Sequence, residues 1–190
     1  MHGTYRLLYR LGITPWEDTT GHAAELVARA VPGPPGRAVD LGCGTGRQAR
    51  ALAARGWTVT GVDDVPAAIA AARRLDPDGH VTWLAGDVTD PGGVDPDGRL
   101  TGAVTLILDN GCLHGIPARL RPGWLATVNR LAAPGADLLI RAMPRQRRPI
   151  GPAGIDAGDL HALLGDAWTP RPAPGRHWYH YRGHAPEARA

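Results

Sequence analysis

The chain has 190 residues, 43% of them hydrophobic and 21% charged, with a net charge of +3, a profile that fits one soluble globular domain with a core of its own. It holds no lysine, no serine and no phenylalanine, which excludes a Ser-His-Asp hydrolase, a pyridoxal Schiff base and a phosphate loop of the Walker type. No stretch is apolar for long enough to span a bilayer and no charged-then-apolar leader opens the chain, so a cytoplasmic protein is expected, and two cysteines, Cys43 and Cys112, suit a reducing compartment.

The 26 glycines and 18 prolines are spread as punctuation between ordered-looking segments, so no part is set aside as low-complexity. "RAVDLG" (37–42) is a short apolar run bounded by "PGPPG" and by glycines, as a buried parallel strand would be. "RQARALAARG" then reads as a helix closed by Gly56. "TVTGVD" (58–63) is a second strand, and "PAAIAAARRL" a helix opened by Pro66. "VTWLAGD" (81–87) gives a third strand and "GAVTLILDN" (102–110) a fourth, the most apolar of the set. "RPGWLATVNRLAAPG" is a helix, "ADLLIRAMP" (136–144) a fifth strand and "AGDLHALLGD" a short helix. "AWTPR" and "RHWYHYR" close the series as two strands joined at "PAPG".

Strands alternating with helices predict an α/β fold. The expected architecture is a doubly wound, mostly parallel seven-stranded sheet with helices on both faces and a C-terminal antiparallel hairpin. In such a sheet the ligand sits outside the carboxyl ends of the strands. The basic excess lies late, at Arg141, Arg145, Arg147, Arg148, Arg171, Arg176, Arg182 and Arg189. Without an aromatic-interleaved basic stripe it reads as a solvated face, so no nucleic-acid partner is expected.

"VDLGCGTGRQA" (39–49) links the first strand to the first helix, with Gly42, Gly44 and Gly46 spaced as GxGxG. Glycines there allow a tight turn and a close backbone approach to a ligand at the helix start. The dinucleotide fingerprint GxGxxG fails at Arg47. Asp63 closes the second strand, where an acid accepts from ribose hydroxyls, and Asp87 is expected to close the third, placed to accept from an adenine amino group.

On these residues the chain resembles the class I, Rossmann-like, S-adenosylmethionine-dependent methyltransferases over nearly all of its length. The resemblance implies that Asp40, Gly42, Cys43, Gly44 and Gly46 surround the methionine part of S-adenosylmethionine. It assigns Asp63, with Asp64 beside it, to the ribose, and Asp87 with Val88 to the adenine. It also implies the terminal hairpin at roughly 168–184. Within the family, "YRLLYRLGITPWE" resembles the opening helix and tryptophan-bearing loop of small bacterial thiol, thiopurine and tellurite-resistance methyltransferases. Residues 1–30 are then a helical lid segment over a core at 36–190, all within one domain of 1–190. Tyr5, Tyr9 and Trp16 would line the acceptor, and Trp16 would also touch the cofactor. The alternative for Tyr5, Leu8 and Tyr9 is an amphipathic helix packed on the core.

"ILDNGCLHGIP" (107–117) falls at the end of the fourth strand, where cofactor and acceptor would meet. Cys112 and His114 are too few for a metal site, and none is expected. A thiolate aimed at a sulfonium methyl would methylate itself, so both cysteines read as packing. Related enzymes carry an aspartate and a histidine in this region. Asp109 and His114 are therefore the candidate catalytic pair, His114 as base or substrate-orienting group or else a structural hydrogen-bonder. Asp109 would lie near the cofactor's amino group or position the loop. As a base, His114 should give a rate limb near pH 6.5, moved upward by a hydrogen bond to Asp109. Arg145 follows the fifth strand and is the candidate for an anionic group on the acceptor. The expected activity is methyl transfer to an oxygen, nitrogen or sulfur of a small acceptor, with no membrane partner, as monomer or homodimer. The alternatives are cofactor binding coupled to cyclisation or rearrangement, and a binding module without chemistry.

Overall fold

A computed structural model describes residues 23–145 and 154–184. Seven strands form one sheet: β1 (Arg37–Leu41), β2 (Thr58–Asp63), β3 (Val81–Ala85), β4 (Val104–Asn110), β5 (Ala132–Arg141), β6 (Trp168–Arg171) and β7 (Trp178–Gly183). Their order is β3-β2-β1-β4-β5-β7-β6. The first five run parallel, while β7 pairs antiparallel with both β5 and β6. The expected hairpin is therefore present, and all five parallel strands end along one edge.

The central strands read apolar throughout because both faces are covered. On one face, α1 (Ala23–Ala30), α2 (Arg47–Ala53) and α3 (Pro66–Arg74) pack Val27, Ala49, Leu52 and Ile69 onto Ala38, Leu106, Leu108 and Leu139. On the other, α4 (Pro91–Val94), α5 (Arg121–Leu131) and α6 (Ala157–Leu164) bring Val94, Trp124, Val128, Leu131 and Leu160 against Val39, Ile107, Leu138 and Ile140. The alternation along each strand sends successive side chains into opposite layers. Residues 23–30 of the expected N-terminal segment thus belong to a core layer. Among the described residues no helix is long and apolar enough to cross a membrane.

Two expected boundaries are corrected. The fifth strand begins at Ala132, so "AAPG" leaves the preceding helix, whose C-cap Ala132 is already extended (φ −62°, ψ 124°). Pro134 cannot supply a helical N–H, and β5 instead bulges there, advancing from 132 to 137 while β4 advances from 104 to 106. The third strand stops at Ala85, so Asp87 does not close it. At Gly86 the chain turns hard against the Gly93 carbonyl, which a Cβ would meet at 2.5 Å. Asp90 then caps α4 by accepting from Gly92 N at 3.0 Å.

Trp124, fully buried on α5, donates its Nε1–H to Asp109 Oδ2 at 3.0 Å. Trp124→Phe keeps the ring but leaves that oxygen short of a donor, so it should cost about 1–3 kcal/mol of stability. The donor favours the ionised acid, so the loss should be greater at pH 8 than at pH 5, read by urea denaturation at both. Equal losses at the two pH values would mean that the indole N–H contributes nothing to Asp109.

Candidate active site

The glycine loop leaves β1 at Leu41 and enters α2 at Arg47. Gly42, Gly44 and Gly46 all lie in the left-handed region (φ 72°, 56° and 79°). Gly42 N and Cys43 N both donate to the Val62 carbonyl, at 2.8 and 3.0 Å, and Gly46 N closes back on Cys43 O at 2.9 Å. Asp63, at the end of β2, accepts from Gly44 N through Oδ2 and from Val65 N through Oδ1, both at 2.9 Å. The acid that sequence reasoning gave to ribose also holds the loop to the second strand.

Side chains clamp this loop from both faces. A Cβ on Gly42 would meet Cys112 Cβ at 2.5 Å and its Sγ at 2.7 Å. A Cβ on Gly46 would clash with Cη2 and Cζ3 at the outer edge of the Trp83 ring, and one on Gly61 would reach Trp83 Cζ3 at 2.6 Å. The indole is itself pinned, donating Nε1–H to Asp76 Oδ2 at 3.0 Å. Burial pushes the Asp76 carboxyl up, but donors from Val81 N, Trp83 and His80 N outweigh it and hold it below the ordinary range. Trp83 and Asp76 were invisible as site residues in the sequence. A tryptophan in an apolar strand carries no sign that it lies beneath a loop some 40 positions away.

Three acids lie together below the loop. Asp40, at 1% exposure, is pushed to about 7 by burial and then by the charges of Asp109 and Asp63, with Oδ2 buried and, among the described residues, unpartnered. Burial also raises Asp109 to about 7, against the pull of its donors. Its Oδ1 accepts from Cys112 N (2.9 Å) and Leu113 N (3.1 Å), and its Oδ2 from Leu113 N and Trp124 Nε1 (both 3.0 Å). With no exposed surface, Asp109 holds the turn after β4. Of the roles expected for Asp109, its four hydrogen bonds fit the loop-positioning one. Burial raises both thiols as well, Cys43 with Asp40 and Asp63 adding, Cys112 with Asp109 first among its neighbours. Both therefore stay protonated packing groups.

His114 is in a short 3₁₀ turn (Leu113–Gly115) beyond β4. Among the described residues it makes no hydrogen bond with Asp109, whose oxygens are taken, and its Nδ1 is buried without a partner. Burial, then the cations of Arg141 and Arg121, push it down to about 4 against a weaker pull from the Arg141 backbone. The hydrogen bond to Asp109 on which an upward move of the limb near 6.5 depended is absent among the described residues, and the shift runs downward instead. Asp64 is half-buried, Val88 is buried, and Asp87 is an exposed turn residue whose Oδ1 accepts from Thr89 N and Oγ1, both at 2.8 Å. Arg145 is committed to Asp159 at 2.8 Å and lies 4.0 Å from Asp156, so its charge is answered within the chain. Tyr5, Tyr9 and Trp16 lie outside the described residues.

Residues 39–138 match the sequence family described as a methyltransferase domain. The chain is 31% identical over 138 residues to a 2-heptyl-1-hydroxyquinolin-4(1H)-one methyltransferase of Mycobacteroides abscessus, covering 70% of this chain and 59% of that protein. It is 39% identical over 137 residues to a trans-aconitate 2-methyltransferase of Delftia acidovorans, covering 69% and 46% respectively. The chain thus spans about half the length of these two relatives. Among solved structures, the 1,6-didemethyltoxoflavin-N1-methyltransferase of Burkholderia thailandensis superposes with a TM-score of 0.73 at 21% identity, covering 96% of this chain and 86% of that one.

Trp83 and Gly61 provide a test of the clamp. Gly61→Ala drives a methyl group into a ring that cannot retreat, and should cost about 1–3 kcal/mol. Adding Trp83→Leu frees the space, so the double variant should fall short of the summed losses by at least ~0.5 kcal/mol. Denaturation of the four proteins measures the coupling, and strict additivity would mean that the indole is not the obstacle.

Proposed function

The chain belongs to the methyltransferase-domain family, and from that premise we propose that it transfers a methyl group from S-adenosylmethionine to an oxygen, nitrogen or sulfur of a small acceptor. The observation that carries this reading is the acidic floor under the glycine loop, Asp40, Asp63 and Asp109, with Asp40 Oδ2 buried and unpartnered. A ligand with a sulfonium, an ammonium and a single carboxylate is a net cation, and this charge pattern suits it. Asp63 stands at the end of β2 with its carboxylate against the glycine loop, where it would accept from the ribose hydroxyls. Asp87 has Oδ2 to offer an adenine amino group. When bound, the cofactor supplies an electrophilic methyl carbon.

The protein's remaining task is alignment, which supplies several kcal/mol by holding the acceptor in line. His114, neutral in the turn beyond β4, orients the acceptor. The names of the two relatives, one acting on a hydroxyquinolone and one on trans-aconitate, support a small-molecule acceptor of the kind met in secondary metabolism.

Binding should be linked to protons. Asp40 and Asp109 are raised in the folded chain, so they favour the folded state below their unfolded pKa, and that support is lost as pH rises toward about 7. A bound cation stabilises the ionised carboxyls and reverses this. S-adenosylmethionine affinity should therefore rise between pH 6 and 8 with release of protons, read by calorimetry in buffers of different ionisation enthalpy. An absence of binding would sink the reading; binding without proton release would remove the acidic floor from it.

For His114, an orienting role predicts that His114→Ala slows single turnover about 10- to 100-fold, the worth of one well-made hydrogen bond. Because the imidazole titrates at about 4, its removal should leave the shape of the pH–rate profile unchanged between pH 5.5 and 8. Loss of a limb near 6.5 in the variant would instead make His114 the base.

A further inference from the structure

We propose that the acceptor is an anion, a carboxylate or ionised hydroxyl, and that Arg141 is the cation that holds it beside His114. The inference rests on the methyl-transfer reading for the identity of the site. Three arginines converge on this corner, and their commitments differ. Arg145 is spent on Asp159. Arg121 is buried, donating Nε–H to Ile116 O and Nη2–H to Gly154 O, both at 3.0 Å. It thereby ties the turn bearing His114 to the chain after β5, where Gly154 packs so closely that a Cβ would lie 2.5 Å from Pro144 O. Arg141 ends β5 in register with Asn110, at the start of the His114 loop. It is half-buried, and among the described residues no carboxylate lies within ion-pair distance of its guanidinium.

A guanidinium partly removed from water and lacking a counter-ion is complete only with an anion, and its planar fork suits a carboxylate or an oxyanion. His114 fits the same occupant. Burial, then both neighbouring cations, oppose its charged form, so the imidazole stays neutral and the arginine alone supplies the charge. The chemistry closes without a base. A lone pair of the anionic oxygen forms the new bond to the methyl carbon while the carbon–sulfur bond breaks and its electron pair returns to sulfur. No proton has to be removed, which is consistent with a histidine too weakly basic to take one at neutral pH.

The test is direct binding to the wild-type protein saturated with S-adenosylhomocysteine, using two matched pairs, benzoate with benzamide and hexanoate with hexanamide, followed by ligand-observed NMR. Each acid should bind about 10-fold or more tightly than its amide, as a charge-assisted pair requires. Arg141→Gln should bring acid and amide to within about 2-fold while S-adenosylhomocysteine affinity holds, and Arg141→Lys should restore part of the gap. A second measurement needs no variant: raising the ionic strength should weaken benzoate and leave benzamide unchanged. Acids that bind no better than amides, or a preference that survives Arg141→Gln or high salt, would overturn the proposal. Failure of the methyl-transfer reading would show separately, as a wild-type protein that does not bind S-adenosylhomocysteine.

Discussion

A carboxylate sealed from water persists only where donors surround it, and Asp109 is that group in this fold. Its two oxygens gather the backbone of Cys112 and Leu113 and the indole of Trp124. One side chain thus joins the end of β4, the turn that carries His114 and the helix packed across the sheet. Because Trp124 is itself wholly buried among the apolar residues of that face, the position of the turn is inherited from core packing. Moving the core would move the site.

The glycine loop obeys the same rule on the neighbouring strands. Cys112, brought over by the Asp109 turn, presses on Gly42, while Trp83, pinned by Asp76, presses on Gly46 and Gly61. Asp63 then ties Gly44 to β2. The loop is thus held by protein groups on both of its sides. The glycines serve two ends at once: they admit a ligand outside and make room for rigid side chains inside.

Charge is divided along the carboxyl edge of the sheet. The ends of β1, β2 and β4 carry Asp40, Asp63 and Asp109, whereas the corner beyond β4 and β5 carries Arg121 and Arg141. A cationic methyl donor over the first and an anionic acceptor at the second would be drawn toward each other with their reacting atoms between. His114 stands at that boundary, kept neutral first by burial and then by the arginine charges beside it.

By itself the sequence determined the α/β alternation, the terminal hairpin, the glycine loop and the acid that follows it on β2. Each of these is local: a period, a cap, a turn residue or a fixed offset along one chain. Two of the boundaries it missed, at Ala132 and after Ala85, are places where tertiary neighbours outweigh local pattern. What Asp109 and Arg145 do, and that Trp83, Trp124 and Arg141 matter, was decided by tertiary structure alone. Whether an acid faces ligand or backbone, and whether an arginine is spent or free, depends on which groups the fold sets beside it. Strand order fixes those neighbours, and β4 lies between β1 and β5 for reasons that no single segment contains.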